Sequence, residues 1–344
     1  MSADSQKKFP KWLTPIGLLL FGVVAGFFLR GIFPHHARTI PQHQEIREGG
    51  YSYINPLVAC ESSEDAEENT QLKAMKGKLE KAIEDQIKRK WTTDAAVYFR
   101  LLNSGRWISI KSNDTFSPGS LLKVPVMIAV LKEEERRPSF AGDKIIFRAP
   151  TPLGAEPNYK PSKKLEAGES YTVDDLLYRM IVYSDNDAMY LLMATLDKKF
   201  YEDLVNELNR EFSVPPPQSG DYMTVEEYAA FFRVLFNATY LSKEMSEKAL
   251  GLLVKTEFNE GLNGGVPSRI PIAHKFGERV YGRNNEAKQL HDCGIVYYPD
   301  HPYLLCVMTT GTSFEYLDDG IREISQIVYE GVDRTTWRPA QRLY

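Results

Sequence analysis

Strand-like sequence lies near the two ends of the globular part of this chain, and this distribution restricts the folds it can form. Two runs, 95–102 and 107–111, are rich in β-branched and aromatic residues, and Asn103-Ser104-Gly105 between them is typical of a hairpin turn. A long, mainly helical stretch separates these runs from three further ones, at 272–277, 290–298 and 303–309. Strands from both ends can pair in one sheet, so the sequence predicts an α+β fold with a five-stranded antiparallel sheet.

Helical patterns lie on both sides of the strands and between them. Apolar residues recur at helical spacing in 70–90, and a last helix is predicted over 314–329. Within the central stretch Thr172 and Thr224 are good N-caps, and a single helix is predicted from Ala188 to about Leu208. We expect the first and last helices to cover one face of the sheet as an α/β sandwich. The central stretch should form an all-helical lobe, with a cleft between lobe and sheet.

Composition excludes several classes of protein. The chain has 344 residues, 43% of them hydrophobic and 26% charged, with a net charge of −4. These values indicate an ordinary globular protein and argue against a nucleic-acid binder. Three cysteines, Cys60, Cys293 and Cys306, are too few and too scattered for a metal cluster, and neither metal nor cofactor is expected. Cys293 and Cys306 could meet across a hairpin if the register allows, but two buried free thiols are the favoured interpretation.

The N-terminal sequence predicts a membrane anchor. Residues 1–11 are polar and carry three lysines, and the eighteen residues from Trp12 to Leu29 carry no charge. This length is at the lower limit for crossing a bilayer, and the preceding lysines place the N-terminus in the cytoplasm. A cleaved signal peptide is the alternative, but the apolar run continues through Phe27-Phe28-Leu29 without a break, which favours a retained anchor.

The predicted organisation has five parts along the chain. It implies a single-pass protein of the cell membrane whose main domain is extracytoplasmic and monomeric. In order, the parts are a cytoplasmic tail (1–11), a signal-anchor helix (12–33), a polar stalk (34–66), the globular domain (67–334) and a C-terminal tail (335–344).

The segment around Ser120 has the pattern of a buried helix start. Ser117 is a suitable N-cap, Pro118 fits the first helical position, and the apolar run 124–131 leads into a core. Ser120 then lies in the first turn, with Lys123 three residues further along the same face. A desolvated lysine can take the proton of a serine hydroxyl and make it a nucleophile. From these residues alone, Ser120 is either such a nucleophile or an ordinary helix-start serine.

Three short motifs together resemble a known signature. Ser120-x-x-Lys123, Ser184-Asp185-Asn186 and Lys275-Phe276-Gly277 occur in the order found in serine β-lactamases and penicillin-binding proteins. Order, spacing and surrounding pattern are most similar to class A β-lactamases, over roughly residues 67–334. The resemblance implies a β-lactamase-like fold and a serine hydrolase or acyltransferase of the bacterial cell envelope.

The resemblance also implies a role for each site residue. Ser120 would attack a carbonyl carbon to give an acyl-enzyme, and Ser184 would pass a proton between Lys123 and the leaving nitrogen. Two backbone N–H groups, those of Ser120 and Glu278, would stabilise the oxyanion. Substrate binding would be shared by Asn186, which holds the substrate amide, Lys275, which faces a substrate carboxylate, and Gly277, which lets the substrate lie against the strand.

The chain departs from the class A pattern in two ways. Phe276 stands where the family usually has a small hydroxyl residue, which removes a hydrogen bond to a substrate carboxylate and adds bulk. The interval from Ser184 to Lys275 is too short for the loop that carries the family's deacylating glutamate. Glu207 superficially resembles that glutamate, but its pattern is helical. Lys123 is then the base by elimination, and deacylation should be slow.

Two hypotheses of different classes follow. The first is a membrane-anchored extracytoplasmic serine hydrolase or acyltransferase, acting on β-lactam or D-alanyl-peptide and ester-like substrates. The second is a catalytically silent β-lactamase-fold module that binds or senses a cell-envelope ligand. In both, the partners are a small-molecule or cell-wall-like peptide ligand and the membrane, reached through the N-terminal helix, with no nucleic acid.

Overall fold

Five strands form the central sheet of the protein. The computed structural model describes residues 46–59, 70–150, 157–212, 222–282 and 286–334. The strands are β1 (Asp94–Leu101), β2 (Trp107–Ile110), β3 (Ile272–Tyr281), β4 (Ala287–Val296) and β5 (Tyr303–Gly311). All neighbours are antiparallel, in the order β2-β1-β5-β4-β3. The pairing of β1 with β5 joins the two ends of the chain and confirms the predicted sheet.

Eight helices occur in the described residues and divide between the two faces of the sheet. They are α1 (Thr70–Lys88), α2 (Lys123–Arg136), α3 (Val173–Val182), α4 (Asn186–Thr195), α5 (Lys198–Phe212), α6 (Val225–Asn237), α7 (Lys243–Leu253) and α8 (Phe314–Arg334). Residues of α1 and α8, such as Leu79 and Leu317, pack with Phe99 and Val307 of the sheet in one core cluster. Helices α2 to α7 pack in a second core cluster with the strand side chains that point to the other face of the sheet. The α+β architecture with a helical lobe is therefore confirmed.

Short strands and single turns of 3₁₀ helix connect these elements. The strand pairs are Ile46–Arg47 with Leu57–Ala59, Thr115–Phe116 with Met223–Thr224, and Lys144–Ile146 with Ser170–Thr172. The 3₁₀ turns are Gly119–Leu122, Pro138–Gly142 and Asn263–Gly265.

Local capping explains where the lobe helices begin. The hydroxyl oxygen of Thr172 accepts the N–H of Asp175, and Thr224 caps α6, as predicted. The prediction of one helix over 188–208 is wrong, because Leu196 is extended and separates α4 from α5. The carboxylate of Asp197 accepts the N–H of Phe200 at 2.8 Å, so this aspartate begins a new helix.

Cys293 and Cys306 are joined by a disulfide bond, so the favoured interpretation of two free thiols is wrong. The register of β4 and β5 places the two cysteines directly opposite each other, with Cα atoms 4.0 Å apart. Both are fully buried. A shift of one residue would have turned the two side chains to opposite faces, and the sequence alone does not fix that register.

Removing this disulfide should lower the stability of the protein. The two cysteines are 13 residues apart, and a loop of that size corresponds to about 3 kcal/mol of unfolding free energy. We expect the double variant Cys293→Ala/Cys306→Ala to lose about 2–3 kcal/mol in urea unfolding. A reductant should destabilise the wild type and leave the variant unaffected. Equal stability of the two proteins under oxidising conditions would contradict this expectation.

The predicted cytoplasmic tail, the anchor over 12–33 and the C-terminal tail lie outside the described residues. Within the described ranges, no helix combines the length and apolar character needed to cross a bilayer. Part of the predicted stalk, residues 46–59, contacts the domain. The carboxylate of Glu247 accepts the backbone N–H groups of Ser52, Tyr53 and Ile54, and the Ile54 side chain is buried in the helical-lobe core.

Candidate active site

Ser120 lies in the 3₁₀ turn Gly119–Leu122, which leads directly into α2. The prediction that Ser117 caps this helix is wrong, because Pro118 is the N-cap of the 3₁₀ turn and Leu122 is the N-cap of α2, and neither makes a side-chain cap bond. The hydroxyl of Ser117 instead accepts a hydrogen bond from the guanidinium of Arg279 on β3. This contact joins the segment before Ser120 to β3, the strand that carries the third motif.

Two glycines allow the Ser120 turn to approach β3 closely. Gly119 has a φ of +56°, and a Cβ there would lie 2.5 Å from the carbonyl oxygen of Glu278. A Cβ on Gly277 would overlap the carbonyl oxygen of Pro118. The backbone just before Ser120 therefore adjoins that of Glu278. The two N–H groups expected to form the oxyanion hole belong to these neighbouring segments.

The amine of Lys123 is the centre of a hydrogen-bonded cluster of motif residues. Its Nζ lies 2.7 Å from Ser120 Oγ, 2.5 Å from Asn186 Oδ1, 2.9 Å from Ser184 O and 3.2 Å from Ser184 Oγ. The side chain is fully buried, whereas Ser120 is half-buried. An ammonium has three N–H groups, fewer than the four oxygens around it. A neutral amine has two N–H groups and one lone pair, and the lone pair can accept the hydroxyl proton of Ser120 while the N–H groups donate to the other oxygens.

Burial lowers the pKa of Lys123 to about 7, because the cation loses its hydration. The nearby carboxyl groups of Asp185 and Glu278 oppose this effect and keep the pKa from falling further. At neutral pH, a large fraction of the molecules therefore carries an uncharged amine beside Ser120. A general base is most effective when its pKa lies near the ambient pH, and the Lys123 amine meets this condition at neutral pH.

A strained turn holds Ser184 between two lysines. Ser184 has a φ of +57°, a left-handed conformation that is unusual for a residue with a side chain. Asp185 follows it, and its carboxylate accepts the N–H of Ala188 at 3.1 Å as the N-cap of α4. The turn places Ser184 Oγ 3.2 Å from the amine of Lys123 and 3.0 Å from that of Lys275. A proton can therefore pass through this hydroxyl.

Lys275 lies on β3 and is fully buried. Its Nζ donates to Ser184 Oγ and to the carbonyl oxygen of Phe276, both at 3.0 Å. Burial, and then the charge of Lys123, lower the pKa of Lys275 well below its ordinary value. The structure thus brings the side chains of the three motifs together in one water-poor site.

Comparison with known proteins assigns the family. A model of the β-lactamase enzyme family matches residues 78–332, well over half of the chain. The chain belongs to this family. A β-lactamase of Streptomyces lavendulae is 26% identical over 229 residues, which are 62% of this chain and 72% of that protein. The β-lactamase CTX-M-4 of Salmonella typhimurium is also 26% identical, over 227 residues covering 62% and 74%.

Solved structures share the fold. A mutant of PBP-A, solved as an acyl-enzyme complex with penicillin G, superposes with a TM-score of 0.61 at 18% identity, covering 76% of this chain and 97% of that one. A β-lactamase from Chitinophaga pinensis gives a TM-score of 0.63 at 18% identity, covering 74% and 99%. Together with the family match, these likenesses confirm a serine hydrolase family member of the class A β-lactamase type.

Glu207 does not lie near the nucleophile. It is part of α5, as its pattern predicts, and its carboxylate accepts the hydroxyl of Tyr240 at 2.9 Å. The carbonyl of Tyr240 in turn accepts the amine of Lys132, which follows Lys123 by nine residues, or about 13 Å, along α2. In the part of the chain that the structure describes, no carboxylate is hydrogen-bonded to Ser120 or Lys123.

One residue near the site was not singled out by the sequence. The backbone N–H of Tyr159 donates to Glu278 Oε1 at 3.1 Å, and the Tyr159 ring contacts that of Phe276 at 5.5 Å between centroids. Tyr159 lies in a turn-rich segment without periodicity, so no local pattern marked it. His274, which precedes Lys275 on β3, is buried, and its Nδ1 lies 2.9 Å from a carboxylate oxygen of Asp292.

Proposed function

We propose that this protein forms an acyl-enzyme at Ser120 with β-lactams or with D-alanyl-peptide and ester-like substrates, and that it releases the acyl group slowly. One observation carries the proposal. The buried amine of Lys123, with a pKa near 7, lies 2.7 Å from the Ser120 hydroxyl. A base in that position and protonation state is what a serine needs to become a nucleophile.

Acylation uses each residue of the cluster in turn. Ser120 Oγ bonds to the carbonyl carbon while its proton passes to Lys123 Nζ. The oxyanion is stabilised by the backbone N–H groups of Ser120 and Glu278. The bond from carbon to the leaving nitrogen or oxygen then breaks, and Ser184 passes the proton from Lys123 to the leaving atom. Asn186 has two roles in this scheme. It holds the substrate amide, and its Oδ1 accepts a hydrogen bond from Lys123 Nζ and so orients that amine.

Hydrolysis of the acyl-enzyme lacks a second base in this scheme. A water molecule must lose a proton as it attacks the ester carbon. Glu207 is engaged with Tyr240, and among the described residues no carboxylate is hydrogen-bonded to Ser120 or Lys123. Within that part of the chain, Lys123 is the base that both half-reactions would use. The acyl-enzyme should therefore persist, or pass its acyl group to a better nucleophile than water.

Penicillin G should label Ser120 covalently, and the adduct should survive removal of free penicillin. Intact-protein mass spectrometry over a time course measures both steps, and peptide mapping identifies Ser120. The Ser120→Ala variant should show no adduct. Rapid hydrolysis of penicillin without a detectable adduct would contradict slow deacylation and require a deacylating base elsewhere in the chain.

A silent binding module is the second candidate, and Phe276 favours it because its ring fills space beside Lys275. A panel of activated esters separates the two candidates. Equal hydrolysis by the wild type and the Ser120→Ala variant would favour the binding module, whereas loss in the variant would favour the enzyme.

We also propose that the domain is monomeric, lies outside the cytoplasm and is attached to the membrane by an N-terminal anchor. The uncharged run from Trp12 to Leu29 and the lysines before it support this topology. The disulfide between Cys293 and Cys306 supports it independently, since such bonds persist in oxidising compartments. Fractionation of cells expressing the full chain tests the proposal, and recovery in the soluble cytoplasmic fraction would contradict it.

A further inference from the structure

Phe276 fills the space beside Lys275 with an aromatic ring. The centroid of its ring lies 4.0 Å from Lys275 Nζ and 4.2 Å from the ring of Phe258, on which it stacks. Tyr159 meets both rings edge-on, at 5.5 Å and 4.9 Å, and also contacts Phe314 at 6.2 Å. We call these four residues the aromatic cluster. The amine of Lys275 lies over the face of the Phe276 ring, which is electron-rich and offers an anion no hydrogen-bond donor.

A carboxyl group completes the surroundings of the aromatic cluster. Glu278 follows the third motif, and its Oε1 fixes Tyr159 through the backbone N–H. Its Oε2 is buried and has no hydrogen-bond partner among the described residues. Burial raises the pKa of this carboxyl group above its ordinary value, although the backbone N–H bonds oppose the effect. An acidic group with an unfilled acceptor therefore lies near enough to the amines of Lys123 and Lys275 to raise the pKa of both.

This arrangement disfavours an anion beside Lys275. The amine already donates to Ser184 and to the carbonyl of Phe276, and its remaining side faces the Phe276 ring. A carboxylate brought there would lose its hydration against apolar rings and gain no hydroxyl donor from position 276. The Glu278 carboxyl group would add repulsion whenever it is ionised.

The basic residues of the cavity beside the Ser184 turn are accompanied by acids. A cavity of about 170 Å³ adjoins the Ser184 turn and is lined by two lysines and two aspartates among others. They are Lys160, Lys164, Asp185 and Asp187. Because both signs are equally represented, this cavity provides no net positive charge to replace the missing carboxylate contact.

We propose that the aromatic cluster determines specificity, by favouring substrates whose group beside Lys275 is uncharged over those that carry a carboxylate there. Esters and amides with a neutral group next to the scissile bond are the substrate class that fits. The proposal rests on the acyl-transfer function proposed above and narrows its substrate range.

Penicillin G and its methyl ester test the proposal, because they differ only in this carboxylate. With each compound, the lactam C–N bond opens on Ser120 and the hydroxyl proton passes to the lactam nitrogen. The mass of the adduct shows that the methyl ester group is retained. We expect the wild type to be acylated by the methyl ester at least as fast as by the acid.

The Phe276→Thr variant supplies the decisive comparison. It removes the ring and adds a hydroxyl donor, so the ratio of acid to ester acylation rates should rise about tenfold or more. The Phe276→Leu variant keeps an apolar side chain without a donor, and its ratio should stay within about threefold of the wild-type ratio. Thermal unfolding of each variant shows that it is folded.

The outcomes separate the two proposals. A wild type that is acylated faster by the acid than by the methyl ester, or a Phe276→Thr variant with an unchanged ratio, would overturn the specificity proposal alone. No adduct at Ser120 with either compound would overturn the acyl-transfer function and the specificity proposal with it.

Discussion

Replacing Lys123 with methionine should slow the acylation of Ser120 by at least about 10³-fold. Methionine has a similar length and no basic group, so Ser120 would keep its position and lose the acceptor for its proton. The four oxygens now around the amine at 2.5–3.2 Å would also lose their shared donor. Stopped-flow mixing with penicillin G, followed by mass spectrometry, measures the rate constant.

Lys132→Met is the matched control for this experiment. Lys132 lies in the same helix but donates to the carbonyl of Tyr240 and to Glu135, far from the nucleophile. Its loss should leave the acylation rate within about threefold, with a small loss of stability of about 1 kcal/mol. Acylation of the Lys123→Met variant within tenfold of the wild-type rate would show that another group takes the proton.

Replacing Gly277 with alanine should damage both stability and acylation. The added Cβ would overlap the carbonyl oxygen of Pro118 and lie 2.8 Å from the Leu121 side chain, so β3 and the Ser120 turn must separate. We expect the unfolding free energy to fall by about 2–3 kcal/mol, as in other overpacked sites. Misalignment of the two oxyanion N–H groups should slow acylation about 10²-fold.

The Gly77→Ala variant controls for the chemical change itself. Gly77 lies in α1, and a Cβ there would meet nothing within 4 Å. Alanine is the better helix former, so this variant should gain up to about 1 kcal/mol and keep the wild-type acylation rate. Urea unfolding and the penicillin assay compare the two variants directly. Equal unfolding free energies and acylation rates of the two variants would mean that neither stability nor acylation depends on the close contact between β3 and the Ser120 turn.

The sequence predicted those parts of the site that local patterns mark. Ser120 and Lys123 share one helix start, and the Ser184 turn lies between two helices whose patterns are recognisable. Their meeting with Lys275 was predicted through the resemblance, because no local rule brings residues 155 positions apart together. The sheet followed from strand-like runs at the two ends of the chain.

Features that depend on register or on irregular backbone were not predictable in the same way. The pairing of Cys293 with Cys306 depends on the register of β4 and β5, and a shift of that register by one residue would separate the two side chains. Tyr159 reaches Glu278 from a segment without secondary structure, so no hydrophobic periodicity or helix-capping pattern predicts the contact. Ser117 does not cap α2, because a 3₁₀ turn lies before the helix and moves its start to Lys123. A good N-cap residue in the sequence does not by itself determine where a helix begins.

The pH dependence of Ser120 acylation tests the central claim most directly, because it follows the protonation of the base. The neutral form of Lys123 is the active one, so the rate constant should rise with pH through about 7 and level off above it. Three charged groups face the same amine: Lys275, whose pKa is lowered well below its ordinary value, and the carboxyl groups of Asp185 and Glu278, whose pKa values are raised. In the Lys123→Met variant the residual rate should lose this rise. A wild-type rate that is flat or falls across this range would contradict a neutral Lys123 as the base.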